Sequence, residues 1–258
     1  MMRWAVRGEI TGEYGEDPER LSLKHWRDDE DFPGGDWLLP RGYSEIADCL
    51  ATGLDVRRSC VVRRIHCGRN GVLIETNHHS FGAHKAIITL PLGVLKAGNV
   101  EFDPPLPVRK RAAIERLGSG VLNKLALVFE KEFWPRGTLV VSHTGAYANL
   151  IVSGRALIGL TGGADARSPV PEPEEDLLRS HKAPKPIATV LTHWHEDRFA
   201  CGAYSVVPPG ASSSDFDALA EPAGPLLFAG EATDRAYRGT VHGAYLSGLR
   251  AAREALEV

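Results

Sequence analysis

The sequence lacks most of the features that place a protein quickly. Its 258 residues hold four cysteines, Cys49, Cys60, Cys67 and Cys201, and no Cys-x-x-Cys pair. This spacing excludes a disulfide framework and a zinc ribbon, and predicts free thiols in a reducing compartment. No apolar run approaches the ~20 residues of a membrane-spanning helix, so no membrane is expected. The first residues contain no signal-peptide apolar stretch, and the closing "ALEV" matches no common address or lipid signal. The expected compartment is therefore the cytoplasm. Charge of one sign is also missing: the formal net charge is −3, so no nucleic acid is expected as partner. Metal ligands are sparse. His193 and His195 alternate, but no carboxylate or third ligand stands near them in sequence, and no metal is expected. No internal repeat is visible.

What is present is ordinary globular composition, 43% hydrophobic and 24% charged, enough for one or two domains. Residues 1–35 are polar, and the acidic run Asp28-Asp29-Glu30-Asp31 reads as a solvated face. "YSEIADCLATGL" (43–54) predicts a helix with Ser44 as N-cap and Gly53 as stop. "SCVVRRIHC" (59–67) and "VLIET" (72–76) flank Asn70-Gly71, which predicts a hairpin. His78 and His79 fall in a polar loop, and "KAIITL" (85–90) reads as a strand ending at Pro91. "PVRKRAAIERLGSG" (107–120) predicts a helix opened by Pro107 and closed by Gly118. "VLNKLALVFE" (121–130) predicts a long strand that carries a lysine. From 134 to 190 the signal weakens: "RALIGLTGG" suggests a strand, and the proline-rich segment after it opposes a helix. "ATVLTHWHEDRFACGAYS" (188–205) recovers strand character.

The tail, "LLFAGEATDRAYRGTVHGAYLSGLRAA" (226–252), carries the most chemistry. "LLFAG" reads as a buried strand of a helix-covered sheet. It ends in Ala229-Gly230, which leave the backbone open, and Glu231 follows at the strand's carboxyl end, where α/β sheets bind ligands. Thr240 is placed to cap a helix rich in small residues, among them Gly243, Ser247, Gly248 and Ala251. The N-terminus of such a helix offers free N–H groups and partial positive charge to an anionic ring edge.

This tail resembles the C-terminal FAD-binding signature of the flavin-dependent amine oxidases, and best the subfamily of polyamine oxidases and lysine-specific histone demethylases. Three further stretches agree in order: "GGDWLLPRGYSEIADCLATGLDVRRSCVVRRI", "AIITLPLGVLKAGNVEFDPPLPVRKRAAIERLGSGVLNKLALVFEKEFW" and "HWHEDRFACGAYSVVPPGAS". The match is good over 20–134 and 188–258 and poor over 135–187. The resemblance implies an α/β (mixed α+β) fold, with part of a Rossmann-like FAD-binding domain and part of a mixed-sheet substrate domain. On this basis 1–35 and 99–205 belong to the substrate side, abbreviated at 135–187, and 36–98 and 206–258 to the FAD side. It also implies FAD as cofactor and Lys124, in the Leu-Asn-Lys motif, as the residue that holds a water against the flavin. Val62 corresponds to a backbone contact with adenine, and Thr89, Leu90 and Pro91 to a loop beside FAD. Gly230 and Glu231 match the ribityl–pyrophosphate region, and Thr240 and Val241 the flavin pyrimidine edge. Trp194, Phe199 and Tyr204 match aromatics of the flavin-facing chamber.

The sequence departs from the family pattern in three places. No strand is followed by Gly-x-Gly-x-x-Gly and a helix, so the expectation is a C-terminal portion that binds FAD weakly by itself. The segment before "THW" is short. Arg238 and Gly239 replace a usual Pro-Ala. The implied activity is oxidation of an amine with O2 as acceptor, and a polyamine is expected rather than a histone peptide, because no chromatin-binding extension is seen. The alternative is an inactive fragment, or a partner pairing with a complete oxidase chain.

Overall fold

The computed structural model describes residues 6–257 apart from 36, 38, 40, 70, 143–146, 148, 169–174, 176, 177, 180 and 181. Asn70 of the expected turn and much of the proline-rich segment lie outside the described residues.

The chain is mixed helix and sheet. The first labelled helix, α1 (Ser44–Ala51), begins one residue after Tyr43, which occupies the cap position without a side-chain bond. Ser44 is thus inside the helix, contrary to the expected cap. β1 (Val62–Gly68) and β2 (Gly71–Thr76) form the expected antiparallel hairpin. β3 (Ser80–Ala83) extends it, within a stretch whose polar residues read as loop. His78 and His79 are exposed at the β2–β3 turn. β4 (Ala86–Ile88) leads into α2 (Leu92–Ala97), a short helix not foreseen, and then β5 (Glu101–Asp103) lies parallel to β1. The first sheet therefore runs β3-β2-β1-β5.

α3 (Val108–Arg116) follows Pro107 as expected. It stops at Leu117, and Gly118 opens β6 (Gly118–Ser119) instead of closing the helix. The reason is tertiary: a Cβ on Gly118 would lie 2.6 Å from the Val206 side chain, so the glycine permits a close strand contact. β7 (Leu122–Val128), β8 (Val140–Ser142), β9 (Asn149–Ser153), β10 (Ala156–Gly162) and β11 (Ala188–Leu191) form a second, wholly antiparallel sheet in the order β11-β7-β10-β9-β8. α4 (Gly163–Arg167) follows β10. One sheet face buries Leu125, Leu127, Leu150 and Leu157 with Phe129.

β12 (Ser205–Val206) pairs with β6. α5 (Ser214–Ala220) packs with α3 around Phe216, and β13 (Leu226–Phe228) runs parallel to β4. α6 (Val241–Leu256) closes the chain. Its small residues divide in role. Gly243 is required, because a Cβ there would lie 2.0 Å from the Tyr237 carbonyl oxygen, whereas Gly248 faces open space. All four cysteines are free. Among the described residues no helix is long and apolar enough to cross a membrane.

Candidate functional site

The parallel pair β4–β13 organises the first half of the site. Two strands running the same way end on the same side, so Thr89-Leu90-Pro91 and Ala229-Gly230-Glu231 meet. Together they line a cleft of about 190 Å³. Gly230 has φ 126°, a conformation that favours glycine, and a Cβ there would meet nothing within 4 Å. The backbone is therefore bare on its open side. Ser247 fixes the turn from behind: its hydroxyl accepts from Gly230 N–H at 2.9 Å and lies 3.1 Å from Gly230 O.

Leu90 also lines a second cavity of about 880 Å³, shared with Val62 and Phe199. Adenine-side, loop and chamber candidates thus border one connected region. Phe199 is exposed, its backbone N–H bonded to Asp197 Oδ1 at 2.7 Å, and the Arg198 guanidinium lies 4.8 Å from its ring centre.

Glu231 forms the hub of the next group. Its carboxylate accepts from Ser205 N–H at 3.0 Å, Ser205 O–H at 2.6 Å and Gly239 N–H at 2.7 Å. Burial pushes its carboxyl above the ordinary glutamate range, opposed by those donors and by Arg238. Beside Ser205, Tyr204 donates its hydroxyl to the Glu13 carbonyl, and burial raises its phenol well above the usual value. Thr240 is the N-cap of α6, as the sequence predicts: its hydroxyl accepts from Gly243 N–H at 3.0 Å and donates to Tyr237 O at 2.6 Å. Val241 is exposed at the first turn.

Lys124 stands on β7, a few residues beyond the β6–β12 pairing that anchors Tyr204 and Ser205. Side chains alternate along a strand, so Lys124 projects from the face opposite Asn123 and Leu125. That face carries a row of directly paired apolar residues across all five strands: Val140, Ile151, Ile158, Ala126 and Val190. Lys124 is exposed one pair further along the same face, opposite Leu160. Its backbone is clamped: Lys124 N–H donates to Thr192 Oγ1 at 2.8 Å, and Thr192 N–H returns to Lys124 O at 3.0 Å. Asn123 accepts from Trp194 N–H at 3.1 Å and donates to Ala166 O at 3.0 Å. The Asn-Lys pair therefore grips both neighbours of His193, and fixes half-exposed Trp194 beside the lysine strand.

His193, Trp194 and His195 lie in a turn after β11, not in a strand, so the histidines do not share a strand face. Among the described residues no group of three His, Cys, Asp or Glu is arranged to hold a metal. The acidic run is exposed, but two of its carboxylates are engaged. Asp28 accepts from Ser213 O–H at 3.0 Å and lies 2.6 Å from His25 Nδ1. Asp29 accepts from Arg238 at 3.0 Å. Arg238 is buried, also bonds the carbonyls of His25 and Trp26, and lies 5.3 Å from the Phe216 ring centre. The departure from Pro-Ala at 238–239 is thus a built anchor. Sequence reasoning missed Asn123, Thr192 and Ser205, and singled out Arg238 only as a departure from the family pattern. Of the three missed, only Asn123 had a local signal, as a polar residue in an apolar strand.

The residues present fit the rim of a flavin nucleotide: a bare glycine turn at parallel strand ends, a capped helix N-terminus and a cavity of nucleotide size. A parallel strand pair flanked by helices accompanies a separate five-stranded antiparallel sheet in the same chain. The chain belongs to the flavin containing amine oxidoreductases, whose family model matches residues 6–256. FAD is the cofactor of that family. The chain is 38% identical over 260 residues to lysine-specific histone demethylase 1 homolog 1 of Oryza sativa subsp. japonica, covering 90% of this chain and 31% of that protein. It is 35% identical over 272 residues to polyamine oxidase 2 of Arabidopsis thaliana, covering 98% and 55%. A putrescine oxidase structure, 19% identical, superposes with a TM-score of 0.74 over 84% of this chain and 53% of that one, which supports the fold. The chain thus spans about a third to a half of the length of these relatives.

Proposed function

We propose that this chain forms the substrate-side sheet and C-terminal FAD margin of an amine oxidase that acts on polyamines. The observation carrying this reading is the cleft where Thr89, Leu90 and Pro91 meet Gly230 and Glu231 at the carboxyl ends of β4 and β13. Val62 and Leu90 bound the adenine side, and Thr240 and Val241 present the α6 N-terminus to the flavin ring edge. A bound FAD would supply the two-electron acceptor for the amine's C–H hydride and N–H proton, with O2 as final acceptor giving H2O2 and water hydrolysing the imine. Lys124 holds a water at its Nζ and handles a proton there, from an apolar sheet face that excludes bulk solvent once covered. Trp194, Phe199 and Tyr204 bound the chamber and orient the alkyl chain. Glu231 acts as a positioning residue through Ser205 and Gly239.

A second reading, oxidation of an N-methylated lysine in a peptide, is favoured by the 38% identity to a histone demethylase homologue. Both readings are tested by incubating the purified chain with FAD, removing free cofactor by gel filtration and recording the flavin bands. Peroxide release is then assayed with spermine, spermidine and a dimethyl-lysine peptide. Retained flavin with spermine-dependent peroxide is expected, and Lys124→Met keeps the bands but lowers turnover by roughly a hundredfold. Peroxide with the peptide alone selects the second reading, and a colourless protein rejects catalysis by this chain alone.

A further inference from the structure

The cavity of about 880 Å³ that joins Val62 to Phe199 has a charge pattern that the proposed function leaves unused. Part of its wall is apolar, supplied by Val62, Leu90, Val94 and Val100. The same wall carries three arginines, Arg57, Arg63 and Arg198, and among the described residues that line it there is no aspartate or glutamate. One side of the wall is held firmly. Asn77 Oδ1 accepts from Val61 N–H at 2.8 Å, and Asn77 N–H donates to Val61 O at 3.0 Å.

The three arginines are not equivalent. Arg57 is committed: it bonds Asp55 Oδ2 through Nε at 3.2 Å and Nη2 at 3.0 Å, and its guanidinium lies 4.9 Å from the Phe81 ring centre. The Arg198 guanidinium lies 4.8 Å from the Phe199 ring centre and has no ion pair among the described residues. Arg63 is exposed, and its guanidinium has neither an ion pair nor a hydrogen bond among the described residues. Two cations on one concave wall, with no carboxylate between them, attract an anion to the space they share.

The chemistry of the walls selects the anion. A guanidinium offers paired N–H donors that match two oxygens of a phosphate. The apolar wall and the Phe199 ring suit a flat aromatic base. The volume is that of a site for a small organic molecule, roughly 300–1,000 Å³, rather than for a bare ion. A flat base joined to phosphate is a nucleotide.

We propose that Arg63 and Arg198 are phosphate-binding residues of this cavity, and that they hold the diphosphate of an adenine nucleotide. The inference rests on the reading of Val62 as the adenine side and adds charge recognition by this chain's own residues. The test is calorimetric titration of the purified chain with ADP, adenosine and sodium pyrophosphate at matched ionic strength. ADP should bind saturably and at least about tenfold more tightly than either fragment. Arg63→Gln and Arg198→Gln should each weaken ADP about tenfold, the loss of hydrogen bonding to a charged group, and leave adenosine unchanged. Added NaCl should weaken ADP and spare adenosine. Absence of saturable ADP binding overturns the proposal. Adenosine or pyrophosphate as tight as ADP, or ADP affinity unchanged in either variant, overturns it as well. Both positions are exposed, so both variants should melt as the wild type does; if one does not, the other decides. FAD separates this assignment from the reading beneath it. Flavin retained with the same affinity in both variants removes the arginines and leaves the amine oxidase reading standing. Arginine-dependent ADP binding without peroxide from any amine upholds the arginines and removes catalysis by this chain alone.

Discussion

Lys110 is a charged side chain placed where charge is costly. It is only 2% exposed, donates to the carbonyls of Ala218 and Leu219 at the end of α5, and its Nζ sits 3.7 Å from the Phe228 ring centre. Burial lowers its pKa to about 8 from an ordinary 10.5. Between those values the unfolded chain holds a proton that the folded chain has released. Stability therefore rises as pH climbs from about 8 to about 10.5, by roughly 2–3 kcal/mol at ~1.4 kcal/mol per unit. Urea midpoints of wild type and Lys110→Met across that range should converge or cross, with only the wild type gaining. Parallel profiles would show that Lys110 does not titrate in the fold. Glu231 has the opposite sign. Its folded value is raised, so its contribution is full below the ordinary glutamate range and lost as pH rises through the folded value. Glu231→Ala leaves three donors without their acceptor and should cost roughly 2–4 kcal/mol at neutral pH, measured by urea denaturation. Glu231→Gln keeps one acceptor oxygen and should cost less, with a flatter profile in weak acid.

Elements were legible in the sequence where one short stretch held the whole signal. The β1–β2 hairpin follows from its turn, and α6 from Thr240. Both yield sharp tests. A Cβ on Gly71 would lie 2.2 Å from the Ala83 carbonyl, at φ 121°, whereas one on Gly82 meets nothing within 4 Å. Gly71→Ala should therefore lower the thermal midpoint clearly and Gly82→Ala hardly at all; equal losses would show that the close approach of Gly71 to the end of β3 does not constrain this position. Thr240→Ala should cost about 1 kcal/mol through loss of the cap, and Thr240→Ser should restore most of it in the same melts. Elements that depend on distant partners were not legible. β3 forms because β2 offers an edge, and Gly118 enters a strand because Val206 meets it. The parallel pairing of β4 with β13 joins segments more than a hundred residues apart, and no local pattern encodes it. The candidate site divides in the same way. The motif residues at 89–91, 124 and 230–231 were readable by resemblance, whereas the Ser205–Glu231 bonds and the Arg238 anchor are products of tertiary contact.

Across the whole molecule, the sheet that carries Lys124 has one buried face and one open one. The row Val140, Ile151, Ile158, Ala126 and Val190 spans all five strands, with Val140 52% and Val190 57% exposed. Contiguous apolar surface of this kind drives association when it is left in water. The chain by itself should therefore bind a hydrophobic dye while fully folded, and should sediment as a concentration-dependent mixture. A charge at the centre of a solvent-facing strand position removes that drive without disturbing the buried face formed by Leu125, Leu127 and Leu157. Val190→Lys is the informative change, because β11 is an edge strand and a lysine there also blunts strand-to-strand pairing. Dye fluorescence and the sedimentation coefficient should both fall, while the urea midpoint moves by no more than about 0.5 kcal/mol, as expected of an exposed position. A variant that loses stability in step with its association would show instead that this face is already covered, and that Lys124 faces protein rather than an open chamber.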